Sequence, residues 1–239
     1  MSYITTTTEA LASGATFYGA IKLARYAVQN PSCTWLAPSV IRGASNEPFI
    51  ALTFDDGPSE ASYDILSLLA RHGVSATFFQ CGANVRRLPT LSREMCAAGH
   101  EIGNHTYSHP RLCFVSPKTI RKQLDITQDI IACETGIEPR FFRPPYGLRG
   151  YGLRQVQQAL GLTGVLWSVI GMDWIWSADE VANHVVSRLE NGAIICLHDG
   201  RTLERNPDIS STVKALATLL PRIKEEGYKC VTISNLIYL

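Results

Sequence analysis

The chain carries almost no excess charge. Against 22 lysines and arginines stand 21 aspartates and glutamates, a formal net charge of +1. That balance excludes electrostatic capture of nucleic acid or anionic lipid and suits a neutral or mixed-charge substrate. The chain also lacks any CxxC pair. Seven cysteines, at 33, 81, 96, 113, 133, 196 and 230, are an odd set that argues against a disulfide framework or a cysteine-based zinc site. Most of them read as small buried hydrophobes in a reducing compartment. There is no low-complexity block and no basic signal-type start. Lys22 and Arg25 interrupt the mildly apolar stretch after "MSYITTTTEA", which removes a membrane span. A cytoplasmic protein is the expectation.

What remains is a globular composition, 46% hydrophobic and 18% charged, long enough for one α/β barrel or two smaller domains. Residues 10 to 28 read as an amphipathic helix with Leu11, Tyr18, Ile21 and Val28 as its apolar stripe, ended by "QNPSCTWLAP". From Phe49 onward short apolar runs alternate with helical patterns. Strands are expected at 49–54, 76–80, 101–104, 140–143, 164–169, 193–197 and 229–233, with helices near 59–72, 89–98, 116–135, 152–160, 178–190 and 211–226. Pro221 should bend or restart the last helix. Seven strands separated by helices imply parallel βα units. No glycine-rich nucleotide fingerprint follows the first strand, so an open dinucleotide-binding sheet is disfavoured. Polar residues instead follow several strands: Asp55 and Asp56, His105, Arg143, Asp173 and His198. A barrel gathers such strand ends around one mouth. The expected fold is an incomplete, seven-stranded (β/α) barrel.

"ALTFDDGP" (51–58) sets two aspartates side by side where a buried strand meets a turn. Solvating the turn is one explanation. "GNHTYSHP" (103–110) supplies His105 and His109, whose four-residue spacing on a helical turn puts both imidazoles on one face. Two imidazoles and a carboxylate form a three-ligand site with open positions, the layout of a catalytic metal, which can lower the pKa of a water from about 15.7 towards about 7. A second carboxylate can then take the proton. One aspartate would bind metal and its neighbour would act as base.

"TFDDGP", "HTYSHP", "RPPYG", "DW" and "LHD" follow one another in the order seen in the polysaccharide deacetylases, carbohydrate esterase family 4, which includes the nodulation-type chitooligosaccharide deacetylases. The resemblance spans roughly residues 47 to 235. It implies an irregular (β/α)7 barrel, the NodB-homology domain, over 47–239, preceded by an N-terminal helical extension over 1–46. By the same resemblance Asp55 is similar to the catalytic base, and Asp56, His105 and His109 to the ligands of a divalent metal, Zn2+ first and Co2+ or another ion as alternatives. Arg143 resembles the arginine that orients the base. Tyr146 resembles the residue whose backbone N–H stabilises the oxyanion. His198 looks like the general acid and Asp173 like its partner. Trp174 and Leu197 are expected at the substrate site, the former as a stacking face for sugar.

Two departures from the family pattern stand out. The position two residues before the acid histidine is often leucine, lining the acetyl pocket, and here is Cys196. Three residues before Asp173 the family often has another aspartate, and here stands Ile170. The resemblance implies hydrolysis of N-acetyl groups on an N-acetylglucosamine-containing glycan. Three rivals stay open: an amide hydrolase of the same superfamily acting on a small non-sugar substrate, a carbohydrate-binding pseudoenzyme, and a two-carboxylate glycosidase using Asp55 and Asp56.

Overall fold

The computed structural model describes residues 18–43 and 46–238. After helix α1 (18–29) the order is β1 (Phe49–Asp55), α2 (Ser62–His72), β2 (Thr77–Gln80), α3 (Gly82–Arg87), α4 (Pro89–Ala97), β3 (Glu101–Asn104), α5 (Pro117–Thr135), β4 (Phe141–Phe142) and α6 (Leu153–Ala159). There follow β5 (Thr163–Gly164), β6 (Val169–Ile170), α7 (Ala178–Val186), β7 (Ile194–His198), α8 (Ser210–Glu225), β8 (Lys229–Cys230) and α9 (Ile233–Tyr238). Every strand pairing is parallel, in the order β5-β4-β3-β2-β1-β7-β6, with β8 joining the start of β1.

The strand expected at 164–169 closes the barrel, and for that reason it is two strands. Its first half pairs with β4 and its second half with β7, at opposite ends of the sheet order. Between them Val165 donates to the Phe142 carbonyl at 2.9 Å, and Ser168 donates to the Ile194 carbonyl at 3.0 Å. One extended segment thus hands its hydrogen bonds from one edge to the other, leaving neither half long. The curled sheet is the irregular (β/α) barrel that the motif order implies.

Strand alternation sorts the core into two faces. On β1, Ile50, Leu52 and Phe54 join the cluster under the helices with Ile65, Leu69, Leu216 and Leu219, while Ala51 packs inside the barrel with Phe79, Phe141 and Ile194. Gly103 on β3 is required inside, because a Cβ there would lie 2.5 Å from the Phe79 ring. The helices carry local signals. Ser116 caps α5 by accepting from the Thr119 N–H, Pro117 opens it, and Gly136 closes it at φ 73°. Ser177 and Glu180 form a capping box on α7.

Three local expectations are corrected. Helix α8 runs unbroken through Pro221, with Leu219, Leu220 and Ile223 buried around it, so packing outweighs the missing N–H. The run at 229–233 ends as a strand at Cys230 and becomes α9 at Ile233, whose N–H donates to Thr77 Oγ1 at 3.0 Å. In the N-terminal helix, Leu11 lies outside the described residues, and Tyr18 and Ile21 are exposed rather than packed. The chain after that helix lies along the barrel. Ala37 is buried with Leu112 and Phe142, Val40 bridges to Val165, and the fully buried Arg149 donates to the Asn30 and Cys33 carbonyls.

Candidate active site

Parallel register brings the motifs to one level. Asp55, the last residue of β1, pairs with His198 of β7 on one side and Phe79 of β2 on the other. His105 follows β3 and Arg143 follows β4, where the Arg143 N–H donates to the Asn104 carbonyl at 2.9 Å. The side chains meet in a cavity of about 460 Å³ at the C-terminal ends of the strands. Asp55, Asp56, His105, His109, Tyr146, Trp174 and His198 all line it.

His105 and His109 converge without a helical turn. They sit in an irregular loop after β3, folded back by positive φ at Thr106 (67°) and His109 (55°). Backbone strain of this kind costs energy and collects at functional sites. Asp56, Tyr146, Met172 and Thr202 also have positive φ, and all line the cavity.

The three ligand-type residues have donor atoms within 4.8 Å of one another. Asp56 Oδ1 lies 3.4 Å from His105 Nε2 and 3.0 Å from His109 Nε2. The Nδ1 of His105 contacts the Arg143 carbonyl at 2.8 Å. A carbonyl only accepts, so Nδ1 carries the proton and a neutral His105 presents the bare Nε2 lone pair to a carboxylate oxygen. That Nε2 is buried with no hydrogen-bond partner. Two acceptors facing one another in a buried site fit a cation between them. Burial alone would raise the Asp56 carboxyl; protonated imidazoles at His105 and His109 would hold it well below the ordinary carboxylate range, and a cation taking the place of those protons serves the same end. Asn84 donates to the Asp56 carbonyl at 2.7 Å and the Thr202 N–H donates to Asp56 Oδ2 at 2.8 Å, which fixes this side chain from behind.

Beside this set stand two paired systems. Arg143 is wholly buried, and its Nη1 donates to Asp55 Oδ1 at 2.6 Å and to Thr53 Oγ1 at 2.8 Å. Its remaining nitrogens donate to the carbonyls of Val165 and Leu166, so the guanidinium cannot swing. On the neighbouring strand His198 Nδ1 meets Asp173 Oδ1 at 2.8 Å, while Asp173 Oδ2 accepts from the His198 N–H at 2.9 Å and from Thr212 Oγ1 at 2.6 Å. Burial would lower the His198 pKa, but the charge and hydrogen bond of Asp173 raise it to about 9. The imidazolium at neutral pH therefore holds a proton on Nε2, on the cavity side.

A family model of polysaccharide deacetylases matches residues 42–165. A peptidoglycan-N-acetylglucosamine deacetylase of Bacillus cereus (strain ATCC 14579) is 37% identical over 209 residues, 85% of this chain and 92% of that protein. The chain belongs to the polysaccharide deacetylase family. A chitooligosaccharide deacetylase of Bradyrhizobium sp. (strain ANU 289) is 35% identical over 190 residues, 75% of this chain and 86% of its relative. In structure, the Bc1960 peptidoglycan N-acetylglucosamine deacetylase, crystallised with 4-naphthalen-1-yl-N-oxidanyl-benzamide, superposes with a TM-score of 0.77 at 34% identity, covering 84% of this chain and 92% of that one. The protein is thus a hydrolase of the polysaccharide-deacetylating class.

One expected cavity residue of this deacetylase lies elsewhere. Leu197 is fully buried on the outer face of β7, within the cluster under the helices, and does not line the cavity. Alternation explains it: Ile194, Cys196 and His198 share the inward face, so the residue two before the histidine reaches the site and the adjacent one cannot. Cys196 Sγ accordingly lies 3.5 Å from Asp55 Oδ2. Trp174 is 42% exposed, with its ring edge-on to His198 at 5.0 Å between centroids. Tyr146 stacks edge-to-face on His109 at 4.5 Å. Trp167, Met172, Arg201 and Thr202 complete the wall and carry no motif that singles them out. Ile170, three residues before Asp173, lines the cavity as an apolar side chain. Asp199 of "LHD" is buried behind the site, where burial and the charges of Asp56 and Asp55 raise it to about 7 despite a 2.6 Å hydrogen bond from Ser62.

Proposed function

We propose that this deacetylase uses a divalent cation to hydrolyse the N-acetyl group of an N-acetylglucosamine residue in a chitooligosaccharide or peptidoglycan-type glycan, releasing acetate and a free amine. The observation that carries the reading is the pairing of two differently equipped groups side by side in one cavity: Asp55 gripped by Arg143, and His198 charged by Asp173, on adjacent strands. The donor set of Asp56, His105 and His109 suits Zn2+, and a cation held there would supply Lewis acidity to the acyl oxygen.

The chain's own residues divide the rest. Asp55, its Oδ1 engaged by Arg143, keeps Oδ2 towards the cavity to take the proton of the attacking water. The Tyr146 backbone N–H, set by a left-handed conformation in the cavity wall, would donate to the oxyanion as it forms. His198 Nε2–H protonates the amine, because an unprotonated amide nitrogen leaves poorly. Trp174 and Tyr146 offer aromatic faces to the sugar. A glycosidase built on Asp55 and Asp56 is disfavoured, since Asp56 is committed to two imidazoles. The seven free cysteines support a reducing, cytoplasmic setting, and no helix among the described residues is long and apolar enough to cross a membrane.

The test is acetate release, followed by mass spectrometry, from chitooligosaccharides, peptidoglycan fragments and small non-sugar acetamides. A chelator should abolish it, and zinc or cobalt should restore it. Full turnover by metal-free protein, or turnover of the non-sugar amides alone, refutes the proposal.

A further inference from the structure

Cys196 plays no part in the hydrolysis just described, yet it reaches the catalytic centre. It is fully buried on the inward face of β7, and its thiol donates to Asp55 Oδ2 at 3.5 Å. Asp55, Cys196 and His198 offer an oxygen, a sulfur and a nitrogen within 4.8 Å of one another. Two donors each about 2.0–2.3 Å from a tetrahedral ion stand roughly 3.5 Å apart, which is the spacing measured between Sγ and Oδ2. The histidine is already dressed as a ligand: Asp173 holds its Nδ1, fixing the ring so that Nε2 faces inward. Two of the three residues open onto the cavity, so an ion can arrive from solvent.

We propose that Asp55, Cys196 and His198 form a second divalent-cation site, selective for thiophilic ions such as Zn2+ and Cd2+, whose filling switches the enzyme off. The charge balance favours it. An incoming dication displaces one proton from the Cys196 thiol and one from the His198 imidazolium, so the buried region gains no net charge. Hard ions such as Mg2+ gain nothing from the sulfur. Inhibition follows from the reading of Asp55 as base and His198 as acid, since one ion would occupy both.

The experiment is a Cd2+ titration of the purified protein, read by binding stoichiometry and by ultraviolet cadmium–thiolate charge-transfer absorption. Wild type should bind two equivalents, with the thiolate band growing on one of them. Cys196→Ser should lose the band and bind that equivalent at least about tenfold more weakly. Cys196→Ala, checked for folding by circular dichroism, should do the same. His105→Ala should lose the other equivalent and keep the band. Excess Zn2+ should inhibit wild type, with at least about tenfold more needed for Cys196→Ser. A single equivalent without a band in wild type overturns the proposal. So does a band that survives in both Cys196 variants and vanishes in Cys133→Ser, because Cys133 is an exposed thiol. The band does not depend on turnover, so a protein inactive on every glycan but binding as described would refute the deacetylation reading and leave the site standing.

Discussion

Asp173→Asn is the sharpest probe of the acid. The carboxylate accepts three hydrogen bonds, from the His198 Nδ1–H and N–H and from Thr212, and its charge raises His198 from 6.5 to about 9. Asparagine has one accepting oxygen. With the His198 N–H and Thr212 both facing the Oδ2 position, that oxygen belongs there, which turns the amide NH2 towards Nδ1 and holds Nδ1 unprotonated. The variant imidazole loses the strongest influences raising its pKa and keeps burial, which lowers it, against only the weaker charges of Asp56 and Asp55, so it should fall from about 9 back towards the ordinary 6.5. At pH 8 a group of pKa 9 is about 90% protonated and one of pKa 6.5 about 3%, a loss of roughly 30-fold from protonation alone. Between pH 6.5 and 9 the deficit should grow about tenfold per pH unit. The same raised pKa makes the pair's contribution to stability full below pH 6.5 and lost as pH rises through about 9. The assay is kcat/KM for acetate release from a chitooligosaccharide across pH 6 to 10. Wild type should lose activity above about 9, and the variant's alkaline limb should move down towards 6.5. A deficit independent of pH, or a variant limb still near 9, would falsify the assignment of His198 as an acid charged by Asp173.

The adjacent aspartates separate by substitution. Asp55→Asn should keep the metal, by atomic absorption, while losing at least about 100-fold in kcat, whereas Asp56→Asn should lose metal; the reverse pattern would exchange their roles. His198→Ala should cripple hydrolysis of N-acetylglucosamine oligomers far more than that of an aryl acetate, whose leaving group needs no proton, and an unchanged amide-to-ester ratio would mean another donor. Gly103→Ala forces a Cβ against the Phe79 ring, so it should cost about 1–3 kcal/mol in urea unfolding, and a neutral result would mean that the ring moves freely. Phe54→Ala empties a fully buried position stacked on Phe78 at 5.0 Å and should cost about 3–5 kcal/mol by the same measurement.

Legibility in the sequence followed the range of the forces involved. Strands β1, β2 and β7 lie within one residue of expectation, because each is carried by a local, mostly apolar run. The split of 164–169 was not legible, since it depends on which neighbour accepts each hydrogen bond. Short α3 begins at Gly82 without a side-chain cap, so nothing in "CGANVRR" announces it. At the site, motif order named the residues, but a two-residue period decides which side chain of "CLH" faces inward, and it favours Cys196 over Leu197. The supporting groups Thr53, Asn84 and Thr212 were invisible, being ordinary residues on separate elements that meet only in the fold.

The segment that closes the barrel has a consequence for how this enzyme fails. Its backbone carbonyls at Val165 and Leu166 accept from Arg143, the same guanidinium that grips Asp55. Loosening those few residues would bare two sheet edges and release the base in one event. Catalysis therefore doubles as a gauge of closure. As heat or urea is raised, turnover should fall while the helices still give their full far-ultraviolet signal, and the first molecules to stop working will be the first able to pair edge to edge and aggregate.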